Sequence, residues 1–308
     1  MPSTLPTTTF GRSGIEVTRL GYGAMEIRGA PRGREVTPRQ AETILNAVLD
    51  SGINYIDTSI DYGMSEEFIG QFISGRRSEY FLATKCGCQV GAPAAPAGQR
   101  SPHIFTRENI VAGVEQSLRR MKTDVLDAVQ FHSSPAQSVL EKNGAIEALQ
   151  DLQSQGKVRF IGISGVLPEL EEHVSMGVFD VLQIPYSALE RRHENWITRA
   201  ANNGIGNVIR GGVAKGEPGY SGVRREEAWA LFERAGLDEL RSNGESRTSF
   251  MLRFTLSHPG MHTTIVGTLN PGHLAENVTA AQAGPLDRSS YEEARRRLTA
   301  AGEVPSAA

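Results

Sequence analysis

The sequence predicts an α/β chain built as a (β/α)8 barrel of the TIM type, with an N-terminal hairpin before it and extra helices at its C-terminal end. Three observations predict it. Strand-like and helix-like segments alternate about eight times along 308 residues, a length that barrels often fill as one domain, so residues 1–308 are expected to form one barrel unit. The strand-like runs are short and apolar without alternation, the pattern of parallel strands buried on both faces. No G-x-G-x-x-G opens a helix early in the chain, which argues against a doubly wound dinucleotide fold.

Taken in order, residues 7 to 24 read as a hairpin turned by Gly11, Ser13 and Gly14, followed by one run from Val17 to Gly23. Residues 26 to 36, rich in Gly and Arg, read as a loop. A helix then opens with Thr37 as N-cap, Pro38 at its first position and Gln40 three residues after the cap. Ala41, Ile44, Leu45, Val48 and Leu49 share one face of it, and Gly52 closes it. The next strand, Asn54-Tyr55-Ile56, ends at Asp57, with Tyr62 just beyond. A helix near 65 to 74 leads to the strand that ends at Lys85. The gap from 86 to 102 holds Gly, Ala and Pro with little periodicity, and loops of that length are usually lids or disordered.

The next helix starts after Thr106 and turns Ile110, Val114, Leu118 and Met121 inward, before the strand running to His132. A helix through Ile146, Leu149 and Leu152 stops at Gly156, and Arg159 to Gly165 is the following strand. Further units place strands at 181–184, 208–210 and 263–267, with helices from about Pro168, at 194–203, near 247–257 and after Asn270-Pro271. An insertion near 216 to 245 is expected to be largely helical. From about Ser289 the chain reads as a charged helix with a small-residue tail that frays.

Composition narrows the function. A formal net charge of -3 and a pI near 6.2 give no reason to expect nucleic acid or a membrane surface as partner. No apolar run approaches the roughly 20 residues that span a bilayer, and the first residues lack the regions of a secretory signal. Two cysteines, Cys86 and Cys88, are too few for a disulfide scaffold and too few for a zinc quartet. The expectation is a reduced, cytoplasmic enzyme or binding protein with no metal site. Trp196 and Trp229 read as packing residues.

Three successive strands each deliver an ionisable side chain at the same end: Asp57 with Tyr62 beyond it, Lys85, and His132. A free phenol titrates near ~10, and an adjacent ammonium lowers that value. Asp57 pairing with Lys85 would hold the ammonium in place, and His132 would orient a substrate oxygen. A phenol so tuned suits protonation of a carbonyl oxygen as hydride reaches its carbon, and hydride chemistry requires a cofactor.

At these residues the chain resembles the aldo-keto reductase family over nearly its whole length. The resemblance rests on L-G-Y-G-A-M at 20 to 25, G-I-N-Y-I-D-T-S-I-D-Y-G at 52 to 63 and A-T-K at 83 to 85. It continues through Q-F-H at 130 to 132, G-I-S-G at 162 to 165, Q-I-P-Y-S at 183 to 187 and I-V-G-T-L-N-P-G-H-L-A-E-N-V at 265 to 278. It implies reduction of an aldehyde, ketone or sugar-type carbonyl, with Asp57, Tyr62, Lys85 and His132 as the tetrad and Tyr62 as acid/base. It implies NADP(H) as cofactor, with NAD(H) as the alternative. Gly23, Ala24, Met25 and Asp57 would border it, Ser164 and Gln183 would bind the carboxamide, and residues 210 to 216, with Arg210 and Gly211, would follow the pyrophosphate. Gly267, Thr268, Leu269, His273, Glu276 and Asn277 would hold the adenosine end, aided by the helix start near Asn270.

Three departures stand out. Gly165 replaces the usual Asn after the Ser, removing one carboxamide contact. Arg210 stands where an aromatic ring usually stacks, and a guanidinium can stack but changes the local charge. Gly267 and His273 stand where many members place Lys and Arg for the 2′-phosphate. Two other function classes compete. One is a non-catalytic NADPH-binding sensor or regulatory subunit on the same barrel. The other is a metal-dependent hydrolase, for which the strand ends offer only His132 and Asp57.

Overall fold

The computed structural model describes residues 4–92, 96, 99, 101–214 and 223–308. The expected lid at 86–102 and the expected helical insertion at 216–245 therefore lie partly outside the described residues, as do 215 and 216 of the pyrophosphate segment.

The chain begins with an antiparallel hairpin, β1 (Thr7–Thr9) and β2 (Glu16–Thr18). Eight parallel strands then close into a barrel: β3 (Leu20–Gly23), β4 (Tyr55–Asp57), β5 (Phe81–Cys86), β6 (Leu126–Phe131), β7 (Val158–Ser164), β8 (Val181–Pro185), β9 (Gly206–Arg210) and β10 (Thr263–Val266). The helices are α1 (Pro38–Asp50), α2 (Ser65–Phe72), α3 (Arg107–Met121), α4 (Gln137–Lys142), α5 (Ala145–Ser154), α6 (Leu170–Ser175), α7 (Glu194–Asn202), α8 (Val223–Arg234), α9 (Arg247–Leu256), α10 (Pro271–Gln282) and α11 (Arg288–Ala300). No helix of the described residues is long and apolar enough to cross a membrane.

The sequence dictates these elements locally. The Thr37 hydroxyl accepts from Gln40 N while Gln40 Oε1 accepts from Thr37 N, so α1 opens with the reciprocal cap its sequence predicts. Along β5 every second residue, Phe81, Ala83 and Lys85, faces the barrel interior, because side chains alternate across a strand. The lower interior is filled by Tyr55, Phe81, Ala83, Ala128, Val181 and Val208, with Phe10 among them. Phe10, carried just past β1, meets Tyr55 and Phe81 edge-on at 5.7 and 5.4 Å between ring centroids. The hairpin thus plugs the floor of the barrel. A Cβ on Gly206 would come within 2.8 Å of the Phe10 ring, so a glycine is needed where the plug touches β9.

Two expectations change. The run from Val17 to Gly23 is not one strand: it breaks at Arg19, whose N–H donates to Pro6 O and whose guanidinium binds Leu256 O and Met261 O. There the chain passes from the hairpin into the barrel. The C-terminal tail does not fray. Ser306 N donates to Arg192 O, and Trp196 Nε1 donates to Ala307 O at 2.9 Å, so the tail is stitched to the start of α7. Trp196 thereby faces the tail, and buried Trp229 packs on Phe232.

Candidate active site

The upper interior of the barrel, at the carboxyl ends of the strands, is polar. Residue spacing explains why: Asp57 lies two residues above Tyr55, Lys85 two above Ala83, and Gln130 two above Ala128, so each points inward on its strand. The register sets them side by side, with Asp57 opposite Ala83 and Lys85 opposite Gln130. Lys85 Nζ donates to Asp57 Oδ2 at 2.6 Å and to Thr58 O at 2.8 Å, and the two side chains are 1% and 2% exposed. Asp57 Oδ1 accepts from Gln130 Nε2 at 3.1 Å and Gln183 Nε2 at 2.8 Å. A buried carboxylate with three donors, one of them a cation, is compensated as burial of charge demands.

Tyr62, on the turn after β4, is half-buried over this pair, with Lys85 Nζ 5.0 Å from its ring centroid. His132 follows β6 by one residue, and its ring meets Tyr62 edge-on at 6.2 Å. The four ionisable groups expected at three strand ends therefore converge. Their electrostatics correct one expectation. Burial pushes the Tyr62 phenol up and Lys85 pulls it down, and burial wins, so the phenol titrates above its ordinary value. It holds its proton through neutral pH. Burial lowers the Lys85 ammonium while Asp57 and then Tyr62 raise it, and here the charges win. Burial also keeps the His132 imidazole below its ordinary value, against the pull of Asp61.

A second layer surrounds this core and was not foreseen from the sequence. Asp61 Oδ1 lies 3.7 Å from His132 Nδ1 and accepts from Ser59 Oγ at 2.8 Å, and its other oxygen pairs with Arg32. Arg32 also donates to Gln99 O, joining the loop after β3 to the loop after β5 above the site. Cys88 Sγ lies 3.2 Å from His132 Nδ1 and 3.5 Å from His103 Nε2. Gln130 could have been found from its place two residues before His132 on the same strand face. Cys88 and His103 carry no such signal.

The remaining expected site residues fall into two groups on the same rim. Ser164 ends β7 and Gln183 lies across from it on β8, with Ser164 Oγ reaching Gln183 Oε1 at a long 3.4 Å. Such a hydroxyl is weakly engaged and available to a better partner. Gly165 is explained by what stands behind it: a Cβ there would come 2.9 Å from Nδ1 of buried His173. Arg210 ends β9, close enough for its charge to act on both Tyr62 and His132. Gly211 next to it has a φ of 75° and open space where a Cβ would stand.

The second group lies past β10. Gly23 and Gly267 sit face to face, and a Cβ on Gly267 would meet Gly23 O at 2.7 Å. Ala24 is buried there, and Met25 is 40% exposed. Thr268 O accepts from Tyr22 Oη at 2.9 Å, and Thr268 Oγ1 accepts from Asn270 N. Leu269 and Pro271 line a groove with Thr37, Arg39, Gln40 and Thr43 at the start of α1. On α10, His273 and Glu276 are exposed and Asn277 is buried. Ser164 and Arg210 end their strands, with Gly211 just after, and the Leu269 and Pro271 groove lies at the start of α10. At the start of α10 the Asn270 side chain accepts from Gly272 N, and other first-turn N–H groups have no partner within the helix.

A sequence profile described as the aldo/keto reductase family matches residues 19–297. The chain is 29% identical to the uncharacterized oxidoreductase YqkF of Bacillus subtilis over 90% of this chain and 91% of that protein. It is 28% identical to pyridoxine 4-dehydrogenase of Escherichia coli over 90% of this chain and 93% of that one. Among solved structures, it resembles the holo form of an aldo-keto reductase from Bacillus halodurans. That match has a TM-score of 0.80 and 27% identity, and covers 95% of this chain and 96% of the other.

Proposed function

Because the chain belongs to the aldo/keto reductase family, we propose that it is an NAD(P)H-dependent oxidoreductase that reduces an aldehyde, ketone or sugar-type carbonyl to its alcohol, with Tyr62 as general acid. The nicotinamide cofactor, when bound, supplies the hydride. The protein supplies the proton and the geometry. Tyr62 Oη gives its proton to the carbonyl oxygen. The Lys85 ammonium beneath the ring stabilises the phenolate that remains, in a site where burial strengthens that attraction. Asp57 holds Lys85 charged and in place, and Gln130 and Gln183 hold Asp57. His132 fixes the oxygen's approach to Tyr62. In the oxidative direction the same phenolate would take the proton back.

The cofactor would lie along the rim already described. Ser164 and Gln183, now only weakly joined to each other, would receive the carboxamide, and Arg210 would lie against the nicotinamide ring. Gly211 would allow the pyrophosphate close to the backbone, and Gly23, Ala24 and Met25 would border it. Gly267, Thr268, Leu269, Glu276 and Asn277 would hold the adenosine end. Arg39, which lines the groove beside Leu269 and Pro271, and His273 would take the 2′-phosphate of NADP(H), the preferred cofactor here. NAD(H) is the alternative, because neither Gly267 nor His273 brings a permanent positive charge.

The observation that carries this reading is the convergence of Tyr62, Lys85, Asp57 and His132 on one rim. A panel of small aldehydes, ketones and sugars, followed by NADPH and NADH absorbance, tests it. Steady cofactor consumption with one class of carbonyl is the expected result. Tight cofactor binding with no turnover across the panel would favour a sensor instead.

A further inference from the structure

One member of the proposed proton relay, His132, also belongs to a cluster of donor atoms with Cys88 and His103, two residues that carbonyl reduction does not use. Cys88 and His103 face each other across an antiparallel bridge that folds the loop after β5 back on itself. Cys88 Sγ lies 3.5 Å from His103 Nε2 and 3.2 Å from His132 Nδ1, and one ligand atom from each of the three residues lies within 4.8 Å of the others. Around a tetrahedral zinc ion, bonds of about 2.3 Å to sulfur and about 2.0 Å to nitrogen hold those atoms roughly 3.5 Å apart. Two edges of the triangle are therefore already near the length a metal would impose.

The loop is built to hold this shape. Gly87 has a φ of 93°, and a Cβ there would strike the Phe105 ring at 2.4 Å, so the glycine lets Phe105 seat against the strand end. Phe105 stacks on His103 at 6.1 Å between centroids and presents it to Cys88. Asn109, on α3, donates to both Cys88 O and Ile104 O and accepts from Val90 N, pinning both arms of the loop. Ser133 Oγ lies 3.0 Å from His103 Nε2 and would have to turn aside. Asp61 adds a negative charge 3.7 Å from His132 Nδ1. Of the nearby cations, Lys85 and Arg32 are committed to Asp57 and Asp61, while the charge of Arg210 also reaches His132.

We propose that Cys88, His103 and His132 form a binding site for a divalent transition metal of the zinc class at the edge of the substrate mouth. One thiolate and two imidazoles select zinc or cobalt over calcium or magnesium, which take oxygen ligands. Three protein ligands at a rim where the His132 side chain is 19% exposed leave the fourth position to solvent. On binding, the Cys88 S–H bond breaks and its proton passes to water, while the sulfur lone pair forms the bond to the metal. Each imidazole contributes one ring-nitrogen lone pair and keeps the proton on its other nitrogen. Nothing is oxidised or reduced. With Nδ1 of His132 held by the metal, its proton sits on Nε2 and its ring is fixed, so occupancy would set the tautomer of the residue beside Tyr62.

The test is titration of the reduced, untagged full chain with cobalt(II), read by absorbance without substrate or cofactor. One equivalent is expected to bind, with the visible bands of tetrahedral cobalt and a near-ultraviolet sulfur-to-cobalt charge-transfer band. Cys88→Ala should remove the charge-transfer band. His103→Ala should weaken binding by about tenfold or more. Cys86→Ala, which removes the other thiol, should leave the charge-transfer band in place. Absence of stoichiometric binding overturns the proposal, as does a spectrum unchanged in Cys88→Ala. Should Cys88→Ala fail to fold, unchanged affinity in His103→Ala overturns it equally. Because the readout needs no turnover, its failure leaves the reductase reading standing.

Discussion

Lys85 Nζ and Asp57 Oδ2 lie 2.6 Å apart, and both side chains are almost entirely removed from solvent. Removing one partner leaves an uncompensated buried charge, which costs about 3–5 kcal/mol. Asp57→Ala should therefore lower stability by roughly that amount in urea or guanidinium unfolding. The Asp57→Ala/Lys85→Met double variant should be less destabilised than Asp57→Ala alone, because no unpaired charge remains. Equal loss in both would mean that the two residues do not act as one buried unit.

The hairpin plug separates stability from chemistry. Phe10 seals the floor against Tyr55 and Phe81, at the opposite end of the strands from Tyr62. Phe10→Ala should cost about 3–5 kcal/mol, the range for emptying a buried aromatic site. The kcat of the remaining folded protein should change little. A thermal melt and a turnover assay on the same preparation separate the two effects.

Several histidines make stability fall on the acid side. Burial first of all lowers the pKa of His193, His258 and His262 to about 4. Their folded values lie below the unfolded value of 6.5, so between these limits the unfolded chain binds protons that the folded chain refuses. Stability should thus drop as pH falls from 6.5 toward 4, by at most about 1.4 kcal/mol per pH unit for each group. Melting temperatures across this range check it, and His258→Gln, if it still folds, should flatten the slope.

Cofactor choice can be read at the groove between α1 and α10. If Arg39 takes the 2′-phosphate, Arg39→Ala should raise KM for NADPH about tenfold, or ~1.4 kcal/mol, and leave KM for NADH nearly unchanged. Equal effects on both cofactors would place the phosphate elsewhere.

Much of this was legible in the sequence, and the reasons are physical. Barrel strands show as short apolar runs, α1 announces itself through Thr37 and Gln40, and residues ending parallel strands of one barrel must share a rim. Asp57, Lys85 and His132 followed from that rule alone. What stayed hidden depends on distance or burial. The meeting of Cys88 with His103 depends on how Gly87 and Phe105 turn an aperiodic loop. The anchoring of the tail depends on the indole of Trp196, more than a hundred residues earlier in the chain. The sign of the Tyr62 shift depends on how deeply the phenol is buried, which sequence does not encode. Nearness to Lys85 argued for a lowered value, and desolvation outweighs it.

The proposed reduction turns on the Tyr62 hydroxyl as the proton carrier. Tyr62→Phe removes that hydroxyl while keeping the ring over Lys85, and its turnover should be compared with that of the unaltered chain on the best carbonyl substrate, with cofactor binding followed by fluorescence. Near-normal cofactor affinity and a kcat lower by about 10²–10⁴-fold are expected. A Tyr62→Phe protein that turns over at close to the original rate would contradict it.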